Sequence, residues 1–372
     1  MVRELFQHFI SYKLSLILVV ILVNCAHAAI PEESSSVKAD ASMYFNGVES
    51  DQEEARVLGV ELNFQLKQKI DSELSMELDG GPFFESGSYN STLSLDEYAP
   101  RSDIKVNQAQ LVWKPFAVTD LRAGLLNQSW MESPLLLGRV AFPTAYQQLY
   151  LYRGNLNFQI YMIYTQSIPN NRNLSNRMGE ISEGTPSLMT ESLGVKMWGE
   201  QLKFKMHLSH FNFSNLSHAT ASKSQFLGNS VFGLAGNAEY LYSFKGYNLM
   251  SKLEHPLTSE WKAVWHGEYL YNSQAPNGRN SGYMGSLGLQ DKKFMLQLGY
   301  YYNESDSSPA YYNDGKLGHN NMKGVLTALS FFQLKPNFDL HLKYFLRQKI
   351  KASSYQSDGG MITLTMVRHY DF

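Results

Sequence analysis

The feature that most constrains this chain is a strict alternation of apolar and polar residues, kept up in segments of nine to twelve residues from one end to the other. In "VLGVELNFQLKQ", Leu58, Val60, Leu62, Phe64 and Leu66 oppose Gly59, Glu61, Asn63, Gln65 and Lys67. In "FMLQLGYYYN", Phe294, Leu296, Leu298, Tyr300 and Tyr302 oppose Met295, Gln297, Gly299, Tyr301 and Asn303. "FDLHLKYFLR" sets Phe338, Leu340, Leu342, Tyr344 and Leu346 against Asp339, His341, Lys343, Phe345 and Arg347. The pattern recurs in "WKAVWHGEYLY" and at Val37–Phe45, Leu74–Leu78, Leu156–Tyr164, Leu202–Leu208 and Ala238–Phe244. A period of two puts successive side chains on opposite faces of a strand, here one apolar and one polar. Strands of soluble sandwiches usually run about five or six residues. A strand crossing a bilayer at a tilt near 45° needs about 9–11.

Aromatic residues sit near the ends of the apolar faces: Trp113, Trp261, Tyr271, Tyr300, Tyr302 and Tyr370. Membrane-spanning barrels carry such girdles at both interfaces. The connections also alternate. Tight ones are "KIDS", "KPFAVTD", "GEQ", "QDKK" and "KPN"; long polar ones cover residues 47–55, 86–102, 131–146, 168–186, 215–231, 273–281, 305–321 and 351–359. Backbone groups in lipid must all be paired, so such a sheet must close. The fold class is therefore all-β, a closed antiparallel transmembrane barrel. Seventeen candidate strands are found. Termini on one side require an even number, so 16 strands are expected, with 14 or 18 as alternatives; the doubtful stretch is 232–257.

The chain's end, "MITLTMVRHYDF", fits the same account. Leu364, Met366, Tyr370 and Phe372 share one face, and a terminal strand that is not paired frays. It is expected to close the seam against the first strand, near Val37–Phe45. At the other end, Arg3 and Lys13, the apolar run "LSLILVVILV" and Ala26-His27-Ala28 read as a cleaved secretory signal, residues 1–28. Residues 29–372 form the single barrel domain. The one cysteine, Cys25, precedes that cleavage point and follows Asn24 rather than a small residue. The mature chain then has no thiol for catalysis, disulfides or metal. Aromatics at 13 %, charged residues at 18 % and a net charge of −2 leave no basic field for nucleic acid.

The whole chain after residue 28 resembles the Gram-negative outer-membrane porins. The match is one of pattern, and its most specific part is the C-terminal "MITLTMVRHYDF". It is similar to the signal read by the barrel-assembly machinery; Phe372, Tyr370, Met366 and Leu364 would carry it, and Arg368 departs from it. In the family a long loop after the fifth strand folds into the lumen. Here the fifth candidate strand, about 120–128, is followed by "WMESPLLLGRVAFPTAYQQ", so segment 130–148 would constrict the pore. It is less acidic than the family's loop. The resemblance implies passive diffusion of small hydrophilic solutes, a homotrimer, contact with outer-membrane lipid and lipopolysaccharide, and no cofactor.

Lumen-facing residues are expected to be polar because they meet water. The inferred inward set leans basic, with Lys38, Lys67, Lys114, Arg122, Lys196, Lys203, Lys205, Lys262, Lys343 and Arg347 set against Asp40, Glu61, Glu268 and Asp339, and with Lys105 also on the wall. Such a wall favours anions weakly. Glu132 and Arg139 from the loop, facing Lys105, Arg122 and Arg347, would set a transverse field. Two other readings are weighed. A plugged transporter of lipid or another hydrophobic substrate needs an inward apolar path. A barrel enzyme needs a rim nucleophile and base, and no such spacing is legible. His207 and His210 fall on opposite faces of a strand and make no metal pair. "NESDSSPAYYNDG" lacks the spacing of a calcium loop.

Overall fold

The computed structural model describes residues 35–371 except 93–96, 139, 154–156, 170–183, 200–201 and 335–337. The expected signal, residues 1–28, Arg139, Phe372 and the turns "GEQ" (in part) and "KPN" lie outside the described residues. The strands are β1 (Ser35–Ser50), β2 (Glu53–Lys69), β3 (Leu74–Ser91), β4 (Ser102–Trp113), β5 (Thr119–Asn127), β6 (Ala141–Arg153), β7 (Phe158–Ser167), β8 (Ser187–Trp198) and β9 (Lys203–Ser214). Helix α1 (His218–Phe226), β10 (Val231–Phe232) and β11 (Glu239–Tyr240) follow. The chain ends with β12 (Lys245–Pro256), β13 (Lys262–Asn272), β14 (Ser281–Gln290), β15 (Phe294–Asn303), β16 (Met322–Leu334), β17 (Phe338–Lys349) and β18 (Gly359–Asp371). Sixteen of them close an antiparallel barrel; β10 and β11 form a separate two-stranded ribbon.

The seam is closed as the terminal pattern requires. β18 pairs with β1 from Lys38↔Asp371 to Ser50↔Gly359, which brings both ends of the barrel to one rim. Connections at that rim are five residues or fewer; those at the other, apart from Asp51–Gln52, are longer. The doubtful stretch resolves into one spanning strand, β12, and the short ribbon. The alternation at Ala238–Phe244 is thus not a spanning strand: Ala238 and Phe244 are buried under the loop, so packing of an infolded segment produced the pattern. Residues 47–55 are likewise not a long loop, since β1 and β2 stay paired up to Glu49↔Glu54. That hairpin projects past the lipid, because its outward side chains there are the exposed ion pair Arg56–Glu54, 3.0 Å apart.

Outward side chains form a lipid-facing band: Leu58, Val60, Leu193, Leu287 and Leu298 are all exposed, Leu287 at 60 %. Its borders are aromatic. Trp113, Trp261 and Tyr370 lie toward the short-turn rim and Tyr247, Tyr283 and Tyr302 toward the other, with Tyr283 and Tyr302 stacked at 5.1 Å. Arg368, the departure from the terminal pattern, lays its guanidinium over Tyr370 at 5.1 Å, as an interfacial cation does.

The expectation of a polar lumen fails in the long-loop half. There the inward side chains Val48, Phe142, Leu188, Phe211, Leu270, Tyr301 and Phe345 are buried, and they share one core with Met131, Leu135, Leu136, Leu137, Phe244, Tyr312 and Leu317 from infolded loops. These inward positions meet protein rather than water, so they follow the rule for cores.

Candidate pore and its constriction loop

The segment after β5 reaches inward-facing side chains of β9, β12 and β13. It is shorter than sequence reading made it, spanning Gln128–Val140, because residues 141–148 belong to β6 with Phe142, Thr144 and Tyr146 buried on the inner face. A 3-10 turn, Gln128–Met131, starts it. Asn127 caps the turn through Oδ1, which accepts from the Ser129 N–H at 3.0 Å, and Glu132 ends it in the left-handed region at φ 52°.

Two tethers hold the loop against the wall of β9, β12 and β13, and a third joins it to the β15–β16 loop. Glu132 meets Lys205 at 3.0 Å and Lys252 at 2.9 Å. Burial alone would raise the Glu132 carboxyl; the two ammonium groups outweigh it and hold the pKa below its ordinary 4.5. Next, the Ser133 hydroxyl donates to Glu268, Asn248 Nδ2 donates to both Ser133 Oγ and Glu268 at 3.0 Å, and the Leu135 N–H points at Glu268 from 3.4 Å. Glu268 is only 5 % exposed, so every one of these donors removes part of the cost of burying a carboxylate. Lastly, the β15–β16 loop closes over the top: Gly138 donates to Tyr312 O at 2.7 Å, Asp314 to Pro134 O at 2.9 Å, and Ser308 Oγ to Leu135 O at 2.7 Å. Asp306 in that loop accepts from Ser230 N at 2.8 Å and Ser230 Oγ at 2.7 Å. It ties loops together.

The sequence-selected residues divide accordingly. Glu132 is in the lumen but faces Lys205 and Lys252, not Lys105, Arg122 or Arg347, because the loop leans toward β9–β13. Arg122 is clamped by its own strand neighbour Asp120, at 2.9 and 2.7 Å, and lies over the Tyr146 ring at 5.0 Å. Arg347 is buried in the long-loop half, donating to the Tyr98 hydroxyl at 3.1 Å. Glu268 is an anchor of the loop rather than a solvated lining residue. Lys105 and Lys343 sit on inward positions of β4 and β17. Lys203 and Lys262 share Glu254, at 3.5 and 2.8 Å.

Sequence reasoning missed the carboxylates that answer the basic wall. Glu77 pairs with Lys67 at 2.8 Å, and Asp120 takes Lys114 at 3.8 Å as well as Arg122. The alternation at Leu74–Leu78 already placed Glu77 inward; Lys252 and Glu254 lay in the stretch whose strand was in doubt. Several wall cations remain solvated even when paired, with Lys203, Lys67 and Lys114 side chains 61 %, 58 % and 56 % exposed. His207 points inward and is buried, while His210 faces outward beside Glu191 at 3.4 Å.

No protein-family model matches the sequence, and a search of curated proteins finds no match. Solved structures do match. The chain is similar to OprB of Pseudomonas putida over 91 % of its length and 95 % of that chain, at 10 % identity and a TM-score of 0.58. It is similar to a loop-deletion mutant of OmpT, an outer membrane protein of Vibrio cholerae, over 91 % and 99 % of the two chains, at 10 % identity and a TM-score of 0.51. At such identities the likeness concerns the fold. That fold, the lipid-facing band with its two aromatic borders, and the contrast between short turns and long loops together define a porin-like, multi-pass β-barrel of the outer membrane.

Proposed function

We propose that the protein is a porin-type channel for passive diffusion of small hydrophilic solutes. The observation that carries this reading is the solvated mouth at the short-turn rim: within a closed barrel whose exterior is apolar, lysines at the ends of β2 and β9 and just past the end of β4 keep more than half of their side-chain surface exposed. The infolded loop narrows such a lumen and rests on the wall through Glu132, Ser133 and Leu135. The weak anion preference expected from a basic wall draws less support, because Lys67, Lys114, Arg122, Lys203, Lys205, Lys252 and Lys262 all have carboxylate partners within 4 Å.

A transporter of hydrophobic substrate would use inward apolar residues as a path. Here those residues are covered by loop side chains and behave as a packed core, which favours the channel. Neither a reaction nor a cofactor belongs to this proposal. Assembly follows the same reading: Leu364 and Tyr370 face outward on β18 and are exposed, which suits an edge read by the barrel-assembly machinery before the seam closes. The homotrimer and lipopolysaccharide contact belong to it too; small outward residues opposed in register, Ala123↔Ala145, leave the β5–β6 exterior flat enough for a neighbouring barrel.

The test is reconstitution of the refolded barrel in a planar bilayer. Steady ohmic current steps are expected. A heat-modifiable, folded barrel that carries no current would overturn the reading.

A further inference from the structure

The infolded loops do not fill the barrel evenly. In the long-loop half, from β6 round through β18 to β1, inward side chains are covered, as at Leu188, Phe211, Tyr301 and Val48, each 2 % exposed or less. The wall of β3 to β5 differs in part: Phe83 and Leu126 are buried there too, but its polar and glycine positions stay open. Glu85 is half-buried, and Gly87, Asp103, Lys105 and Gly124 are exposed on inward positions. Register fixes their direction: Glu61, Phe83 and Asp103 are cross-strand partners facing in, while their neighbours Val60, Phe84 and Ile104 face lipid. The reason lies in the constriction loop. It leaves β5 and is tethered to β9, β12 and β13, away from this side.

Resting on the channel reading above, we propose that solutes cross the barrel by an eccentric route along the β2–β5 wall, and that Glu61, Glu85 and Asp103 set its selectivity, in favour of small cations. Glu85 is held in place for this. Its Oε1 accepts from the Tyr44 hydroxyl at 2.7 Å and its Oε2 from the Arg101 N–H at 3.0 Å. Asp79, two positions past the Gly81 that faces Lys105, adds a further carboxylate and accepts from Asn107 Nδ2 at 2.8 Å. Along this stretch four carboxylates stand against Lys105 and Arg101. A pore wall with an excess of one sign admits the opposite ion more readily. The paired lysines of β9, β12 and β13 lie across the lumen and contribute less.

The only cysteine in the sequence is Cys25, so a Cys25→Ser chain, or residues 29–372, is a thiol-free background. Single Asp103→Cys and Glu85→Cys variants, checked for heat-modifiable folding, are compared with Ser209→Cys and Thr190→Cys, both fully buried in the native barrel. Each is treated with a negatively and a positively charged methanethiosulfonate, with labelling read by mass and current read in the bilayer under a salt gradient. Wild type is expected to reverse on the cation side. Asp103→Cys and Glu85→Cys label quickly; the cationic reagent moves the reversal potential toward anions and removes most of the current, while the anionic reagent restores the original sign. Ser209→Cys and Thr190→Cys label slowly. Equal labelling at the buried pair, labelling at Asp103 and Glu85 that leaves current and reversal potential unchanged, or an anion-selective wild type would each overturn the route or its charge assignment. Absence of any current from the folded barrel would instead sink the channel reading beneath it.

Discussion

The carboxylate of Glu132 meets the Lys205 ammonium at 3.0 Å, joining the loop that leaves β5 to a strand four places further round the barrel. Lys252 completes the clamp from β12. Glu132 and Lys205 are about three-quarters buried, so that pair is screened less than a surface ion pair, and less than the pair with the more exposed Lys252. Glu132→Gln keeps the side chain's size and removes the charge. We expect the loop's hold on the wall to weaken by roughly 1.5–3 kcal/mol, the range for hydrogen bonds to charged groups. Global unfolding of the barrel, which rests on its sheet, should change little. Protease nicking within 128–140 and open-channel current noise should both rise. A variant as resistant and as quiet as wild type would show that the apolar core alone holds the loop.

The same carboxyl gives the clamp a pH dependence. Its pKa is depressed in the folded protein, because Lys205 and Lys252 outweigh burial. A depressed acid contributes stability that is fully present above its unfolded value, near 4.5, and is lost as pH falls through the lower folded value. The contribution of the Glu132 clamp to loop protection should therefore stay constant from neutral pH down to about 5 and decline only below 4.5. In Glu132→Gln that acid-dependent decline should vanish. A difference between wild type and Glu132→Gln that changes above pH 5 would assign the event to another group.

Much of this architecture was legible from period and length alone, and the reason is physical. A spanning strand has lipid on one face for its whole length, so residues such as Leu58–Val60 or Leu296–Leu298 report their side without reference to anything distant. Closure of β18 on β1 was legible for a similar reason, since an apolar terminal strand needs a neighbour. The inner face reports differently. Val48, Phe211 and Tyr301 point inward yet meet loop residues, and only the fold of those loops makes them core. Partner choice across the lumen was equally hidden. Nothing local to Glu132 says that its loop leans toward Lys205 rather than Arg122, because the tether that decides it, Ser133 to Glu268, spans 135 residues.

Glu268 supplies the third prediction. Its carboxylate accepts from Ser133, Asn248 and the Leu135 N–H in a buried site. Glu268→Ala leaves those donors facing a void, at a cost of roughly 1–3 kcal/mol for each group left unsatisfied. Glu268→Gln retains an acceptor but introduces an NH2 opposite donors, and should sit between the two. Urea unfolding in lipid vesicles should rank wild type above Gln and Gln above Ala. Equal stability of the Ala variant would mean that water reaches the site and replaces the carboxylate.

Gly59 and Tyr44 make the sharpest test of side-chain fit on the inner wall. They are cross-strand partners between β2 and β1, and a Cβ built on Gly59 would lie 2.3 Å from the Tyr44 ring carbon Cζ. The ring thus lies flat over the space that the glycine leaves open, and its hydroxyl reaches Glu85 at 2.7 Å. The same arrangement recurs where Tyr161 covers Gly194. Gly59→Ala must push the ring aside and break the bond to Glu85, so it should destabilise by about 1–3 kcal/mol, the usual range for overpacking. Tyr44→Ala alone loses the ring contact and the hydrogen bond. In the double variant the clash has no partner, so the two effects should fall short of their sum by about 0.5–3 kcal/mol. Because Glu85 lies on the proposed route, Gly59→Ala should also shift the reversal potential, and the double variant should match Tyr44→Ala in that measurement. Strict additivity in stability would mean that the ring has another resting place and that Gly59 is not what admits it.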